Sequence, residues 1–264
     1  MLMLTEVLSN HPAVLVREAV VALDEQYRLM AEHDHQVTLL RERRRTARKW
    51  WQILRMLSDH QEVRALRVRR PVVDPGLQSA LASRQAGMAA EDRAVHELSL
   101  LPDTWRLFRG YANRRGEVDI LLVGPQGIWA VEVKDRAILV HVDGERWTFE
   151  KFDRYGNRVD QGVLQDRRGR SWGRQVGDIS RDLEKFLASR GLHVPVHPAV
   201  AVVNDRAGLG ICHEPTVTLS IGTDYLLAAI REAPVTLDSA ARDRAAALVR
   251  RDHVFHSNRR RTRG

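Results

Sequence analysis

Cysteine is nearly absent from this sequence, and that scarcity excludes whole classes of protein. The single cysteine, Cys212, cannot form an intrachain disulfide, and neither a cysteine zinc cluster nor a CxxC motif is available. No apolar run approaches the roughly 20 residues that a membrane-spanning helix needs. The first residues, MLMLTEVLSN, lack the basic segment of a signal peptide. We therefore expect a cytoplasmic protein with no membrane insertion.

Lysine is also scarce, although the chain is strongly basic. The 264 residues carry a formal net charge of +8, an excess that attracts polyanions. Nucleic acid is the commonest partner of this kind, and an anionic membrane surface is the next. Only four of the 42 basic residues are lysine. Because arginine is the default cation here, the position of each lysine is informative.

Hydrophobic patterning divides the chain into four regions. Apolar residues at helical intervals predict two helices within residues 12–68, forming a hairpin or coiled-coil-like extension available to a helical partner or to self-association. Two prolines and a glycine in RRPVVDPG, residues 69–76, are expected to end the second helix. The predicted regions are N-terminal helices (1–70), a linker (71–84), a main domain (85–232), and a C-terminal helix with a basic tail (233–264).

The third region alternates helices with short strands, which predicts an α/β or α+β fold. A helix precedes several strands separated by turn signals, and a second amphipathic helix follows near residues 173–190. The continuous apolar run PAVAVVN, residues 198–204, predicts a strand buried on both faces. We expect a mixed central sheet flanked by helices.

A β-hairpin is the most informative feature of that region. In EVDILLVGPQGIWAVEVK, residues 117–134, a loop of two or four residues at GPQG gives one register. That register places Asp119 opposite Glu132 and Glu117 opposite Lys134, all on one face. The other face is apolar throughout, and a slip by one residue would mix the two sets.

The opposed carboxylates require an explanation, because like charges directly across a sheet are destabilising. A divalent cation would compensate Asp119 and Glu132, since Mg²⁺ takes one or two carboxylates and keeps sites for water and phosphate. Lys134 would lie beside them as a compact positive charge. Alternatively, Glu117 and Lys134 form a plain surface ion pair, and the other two carboxylates extend into water. Against this alternative, Lys134 alone among the lysines follows an acidic residue by two positions.

These residues resemble a known nuclease signature. Asp119, twelve intervening residues and then Glu132-Val133-Lys134 are similar to the PD-(D/E)XK pattern of restriction-endonuclease-like enzymes. Together with the preceding acidic helix and the helix that carries Gln175, the order over residues 85–230 resembles the nuclease-related domain (NERD) branch of that superfamily. The resemblance implies a restriction-endonuclease-like fold.

The resemblance also implies roles for individual residues. Asp119 and Glu132 would be metal ligands for Mg²⁺, with Mn²⁺ as a substitute, and Lys134 would position water or stabilise charge. A glutamine on the following helix corresponds to Gln175. An acid on the preceding helix corresponds to Glu91 or Asp92; spacing to the apolar Val95 slightly favours Asp92, and chemistry does not decide.

Two functions of different classes follow from this sequence. The first is a magnesium-dependent nuclease that hydrolyses phosphodiester bonds, in DNA in preference to RNA. The second is a catalytically idle nuclease-like fold that binds DNA or protein. Loss of activity on replacing Lys134 is expected only for the first.

Overall fold

The structure is a computed structural model that describes residues 3–46, 53–166 and 168–261. In these ranges it contains six helices and ten strands. The helices are α1 (His11–Thr46), α2 (Ile53–Val68), α3 (Pro75–Leu98), α4 (Trp172–Ser189), α5 (Asp224–Glu232) and α6 (Ser239–Arg261). The strands are β1 (Leu4–Val7), β2 (Arg106–Ala112), β3 (Glu117–Gly124), β4 (Gly127–Lys134), β5 (Leu139–Asp143), β6 (Arg146–Phe152), β7 (Arg158–Val163), β8 (Val196–Val202), β9 (Gly208–His213) and β10 (Thr218–Ile221).

The chain divides into two compact units. One contains Met1–His11 together with Ala86–Gly264, and the other contains Pro12–Gln85. The strand β1 therefore belongs to the first unit, although the sequence predicted only helices before residue 70. No helix in the described ranges combines the length and apolar character needed to cross a membrane.

The smaller unit is helical, as predicted. Val37 and Leu40 of α1 pack with Val63 and Leu66 of α2, and His33 Nε2 lies 2.8 Å from the Leu66 carbonyl oxygen. Residues 47–52, which belong to the predicted partner surface at 12–68, lie outside the described residues. The partner of this region therefore stays a prediction.

The segment interpreted as a linker, 71–84, is helical from Pro75 onward. Helix α2 ends at Val68, as RRPVVDPG predicted, but α3 begins within the same string. Proline is tolerated in the first turn of a helix, where its missing N–H would have no partner. The Asp74 side chain accepts a hydrogen bond of 2.8 Å from the Gly76 amide. The same residues thus end one helix and start the next.

A mixed six-stranded sheet forms the centre of the larger unit, in the order β1-β2-β3-β4-β8-β10. β2, β3 and β4 are antiparallel neighbours, whereas β1 pairs parallel with β2 and β8 lies parallel between β4 and β10. The predicted buried strand is confirmed, because Ala199–Val202 of β8 have no exposed surface. This mixed sheet with flanking helices agrees with the predicted fold class.

Two hydrophobic cores cover the two faces of this sheet. One core packs α4 and α6 against one face, and the other packs α3 and α5 against the opposite face. A second sheet, in the order β7-β6-β5-β9, adds Val140, Val142 and Trp147 to the first core. The strands β7 and β9 and the helix α5 were not predicted from the sequence.

The hairpin register is confirmed where β3 and β4 pair. Val123 faces Ile128, Leu121 faces Ala130, and Pro125 and Gln126 form a two-residue loop. The two faces separate as predicted, one contributing to each core, except that Val118 packs in the first core instead of with Val133.

The backbone pairing of β3 with β4 does not reach Asp119 and Glu132. The predicted direct pairing of these two residues is therefore wrong. Backbone pairing ends at Ile120 and Val131. Below this point β3 stays with β2, while β4 stays with β8. In the gap, the Val133 amide donates a hydrogen bond of 2.7 Å to Asp119 Oδ2. The strands thus diverge at the carboxylates.

Gly124 of the hairpin lies close to the side chain of Trp105, so a larger residue at this position would test the packing. A Cβ at Gly124 would overlap the indole of the buried Trp105. We expect Gly124→Ala to lower the free energy of unfolding by about 2 kcal/mol, because overpacking forces its neighbours to shift. Urea denaturation followed by circular dichroism would measure the change.

The matched control is Gly87→Ala on α3, where no heavy atom lies within 4 Å of the added Cβ. There we expect a gain of up to about 1 kcal/mol from helix propensity. Equal unfolding midpoints for Gly124→Ala and the wild type would contradict the packing described here.

Candidate active site

The candidate site lies where β3 and β4 separate. Glu132 and Lys134 are held on β4 by its parallel pairing with β8, opposite Val200 and Val202. Asp119 projects from β3 and is fixed by the Val133 amide. Glu132 and Lys134 lie beside α4, where Gln175 contacts Glu132 and the Trp172 ring lies near Lys134.

Glu132 occupies the centre of the group and is 4% exposed. Its Oε1 accepts hydrogen bonds from Lys134 Nζ at 2.5 Å and from Gln175 Nε2 at 3.1 Å. Its Oε2 is buried and has no hydrogen-bond partner in the described part of the chain. A buried carboxylate oxygen without a partner is costly, and in native proteins such an atom calls for a water or an ion.

Gln175 reaches Glu132 from the first turn of α4. Ser171 caps this helix by accepting a hydrogen bond of 3.2 Å from the Arg174 amide. Val176 and Ile179 are fully buried and fix the helix against the sheet. The glutamine therefore points at the site from a rigid element, as the resemblance predicted.

Of the two candidate acids on α3, Glu91 is the one whose charge interacts with those of Glu132 and Lys134. The Glu91 side chain is 16% exposed and lies 3.8 Å from Arg109. Asp92 is 55% exposed and forms an ion pair of 2.7 Å with the same arginine. The spacing to Val95 slightly favoured Asp92, but Val95 is only half-buried. The buried stripe of α3 runs through Ala90, Ala94 and Leu98, which leaves Glu91 the less exposed of the two acids.

The ionisable groups influence one another strongly. Burial raises the pKa of Asp119 well above its usual value, and the charge of Glu132 raises it further. Burial also raises the pKa of Glu91 to about 7, which Arg109 opposes and Glu132 reinforces. For Lys134, burial alone would lower the pKa, but Glu132 and Asp119 outweigh it, so the pKa lies above its usual value. Ionisation of all three carboxyl groups together is therefore unfavourable.

A divalent cation of the magnesium type fits this set of groups. Within residues 3–46, 53–166 and 168–261, no cluster of three or more His, Cys, Asp or Glu side chains could hold a metal by protein ligands alone. Mg²⁺ does not need such a cage, because it binds through one or two carboxylates and retains water or phosphate oxygens. The unpartnered Glu132 Oε2 and the desolvated Asp119 are suitable donors.

Comparison with known proteins agrees with this geometry. A family model described as nuclease-related domain (NERD) matches residues 86–203. This segment is therefore similar to nuclease-related domains. No curated protein and no solved structure matches the chain significantly.

The segment matched by the NERD model includes every site residue predicted from the sequence. Glu91 and Asp92 lie near its start, Asp119, Glu132 and Lys134 in its central hairpin, and Gln175 near its end. The structure brings Glu91, Asp119, Glu132, Lys134 and Gln175 together, whereas Asp92 remains at the surface.

Two further residues contact this group and were not predicted. Arg109 on β2 links Glu91 and Asp92, and the Trp172 ring lies 5.7 Å from Lys134 Nζ. Nothing in the sequence separates Arg109 from the many other arginines. Trp172 lies three residues before Gln175 in the first turn of α4. This spacing was the one feature of the sequence that could have placed Trp172 near the site.

Replacing Glu91 should change how stability depends on pH. The folded-state pKa of about 7 exceeds the ordinary value of 4.5, so the folded protein binds the extra proton between these values. The ionised carboxylate therefore costs stability increasingly as the pH rises through this range. We expect Glu91→Gln to gain stability relative to the wild type from about pH 4.5 to about pH 7. Denaturant titrations in EDTA would measure the difference.

Asp92→Asn is the matched control, since it alters the neighbouring acid that pairs with Arg109 at the surface. It should show no such gain. A pH-dependent gain in Asp92→Asn, or none in Glu91→Gln, would reverse the assignment of the acid that faces the site.

Proposed function

We propose that this chain is a metal-dependent nuclease that hydrolyses phosphodiester bonds in nucleic acid, with DNA preferred to RNA. The observation that carries the proposal is the buried Oε2 of Glu132, which has no partner in the described residues. It lies on a carboxylate whose other oxygen is held by Lys134 and Gln175. A carboxylate fixed at one oxygen and free at the other is arranged to bind a cation. The match of residues 86–203 to the nuclease-related domain supports the same reaction class.

Asp119 and Glu132 would hold Mg²⁺, for which Mn²⁺ could substitute. When bound, the ion supplies Lewis acidity that activates water and neutralises charge on the phosphate. Gln175 holds the orientation of Glu132 through Oε1. The raised pKa of Glu91 gives that carboxyl a proton near neutral pH, which limits the repulsion around Glu132.

Lys134 would act on the substrate as a cation. Its side chain is 24% exposed, and Nζ contacts Glu132. A compact ammonium in this position can hydrogen-bond a phosphate oxygen and stabilise the charge that develops there. The indole of Trp172 forms one wall of its surroundings.

Nucleic acid is the substrate class that the charge of the chain favours. A net charge of +8 supplies a sequence-independent attraction for the phosphate backbone. It raises the rate of encounter without selecting a base sequence. Selection of the strand then falls to surfaces around the site.

The decisive experiment compares cleavage by the wild type with cleavage by Glu132→Gln and Lys134→Ala. Single-stranded and supercoiled DNA would be incubated with Mg²⁺, Mn²⁺ or EDTA. We expect metal-dependent cutting that falls at least about 100-fold in both variants.

Thermal shifts provide a second measurement, because a ligand that binds the folded state raises the melting temperature. Mg²⁺ should stabilise the wild type more than Glu132→Gln.

Matched controls are Glu184→Gln and Lys185→Ala, two exposed residues of α4. Both should retain cleavage and the metal-induced shift. Absence of cutting by the wild type with every metal, together with equal DNA binding by all variants, would instead indicate the idle binding module.

A further inference from the structure

A cavity of about 480 Å³ opens directly after the candidate site. β4 ends at Lys134, and the next five residues, Asp135 to Leu139, line the cavity. Its other walls come from β6, from β7 and from the loop after β8. We call it the Phe149 cavity. A substrate strand that passes Lys134 would therefore meet this cavity next.

Aromatic and cationic side chains line the Phe149 cavity. Phe149 is half-buried against the first core, and Phe152 is 43% exposed. The Arg136 guanidinium carbon lies 5.7 Å from the Phe149 ring centroid. Lys151 and Arg206 complete the basic side of the cavity.

The three cations of the cavity are available to a ligand. Arg136, Lys151 and Arg206 are exposed, and none of them forms an ion pair with another described side chain. Two acids, Asp135 and Asp160, share the lining. Asp135 accepts a hydrogen bond of 2.7 Å from the Asn204 side chain. The lining thus carries one excess positive charge beside two phenyl rings.

This combination has the chemistry of a site for unpaired nucleotides. Single strands bind where bases stack on aromatic rings and cations follow the phosphates. A base within a duplex could not enter, because it would have to leave its stack first. The volume lies within the range of small-molecule sites.

We propose that the Phe149 cavity binds an unpaired nucleotide of the substrate strand beside the scissile phosphate, and so selects single-stranded DNA. In this assignment Phe149 and Phe152 contact the base, while Arg136, Lys151 and Arg206 contact the backbone. The proposal deepens the proposed nuclease function and rests on it for the identity of the ligand. It requires no chemical step within the cavity.

Binding is measured in EDTA, so the test does not depend on cleavage. Fluorescence anisotropy would compare a short labelled oligo(dT) with a blunt duplex of the same length. We expect the full-length wild type to bind the single strand more tightly. Phe152→Ala should weaken single-strand binding at least about fivefold, since one stacked base contributes on the order of 1 to 3 kcal/mol. Duplex binding should change little.

Tyr155→Ala is the matched aromatic control. Tyr155 is 72% exposed in the turn between β6 and β7 and does not line the cavity. Lys151→Ala has a second control in Lys185→Ala, a lysine on α4. Lys151→Ala should reduce the dependence of log affinity on log salt by about 0.7, and its control should not.

Three results would overturn the proposal. They are equal losses in Phe152→Ala and Tyr155→Ala, unchanged affinity in Phe152→Ala, and tighter binding of the duplex than of the single strand by the wild type. Failure of the nuclease proposal would look different. In that case no metal would support cutting, while the loss of single-strand binding in Phe152→Ala would persist.

Discussion

The divergence of β3 from β4 is the constraint on which the candidate site depends. β3 stays paired with β2, and β4 stays paired with β8. The backbone hydrogen bonds between β3 and β4 therefore end at Ile120 and Val131. Asp119 fills the gap by accepting from the Val133 amide. Continued pairing would have set the carboxylates directly opposite each other with no room between them. Because the strands separate, Asp119 bonds to the Val133 amide and does not pair directly with Glu132.

Such a cluster of negative charge needs a rigid frame, since burial and repulsion both oppose it. The frame consists of two cores that cover opposite faces of one hairpin, with Leu121 and Ala130 in one and Leu122 and Trp129 in the other. A strand buried on both faces cannot rotate its side chains away from the site. Stability gained in these cores therefore offsets the unfavourable placement of Glu132 and Asp119, which a bound cation would relieve.

The sequence predicted the elements whose patterns are local. The hairpin register followed from alternation over 117–134, and α4 and β8 followed from their apolar spacing. β1, β7 and β9 were missed because their exposed side chains give no alternation. The partners of β1 and β9 also lie far along the chain. The burial of Glu91 was not predicted because the buried stripe of α3 consists largely of alanine, which gives a weak hydrophobic pattern. Lys134 and Gln175 both donate to Glu132 Oε1. This contact joins β4 to α4, so the spacing of residues in the sequence could not predict it.

The end of β8 ties the candidate site to the Phe149 cavity. The Val203 amide donates to the Lys134 carbonyl oxygen at 2.9 Å, which holds the last residue of β4 in place. One residue further, Asn204 binds the Asp135 side chain at 2.7 Å, and the Gly208 amide then donates to Ile138 at 3.0 Å. These bonds hold the loop after Lys134 and the loop after Val202 together, so the cation of the site and the wall of the cavity share one support. A strand bound in the cavity would therefore be held in fixed register with the carboxylates.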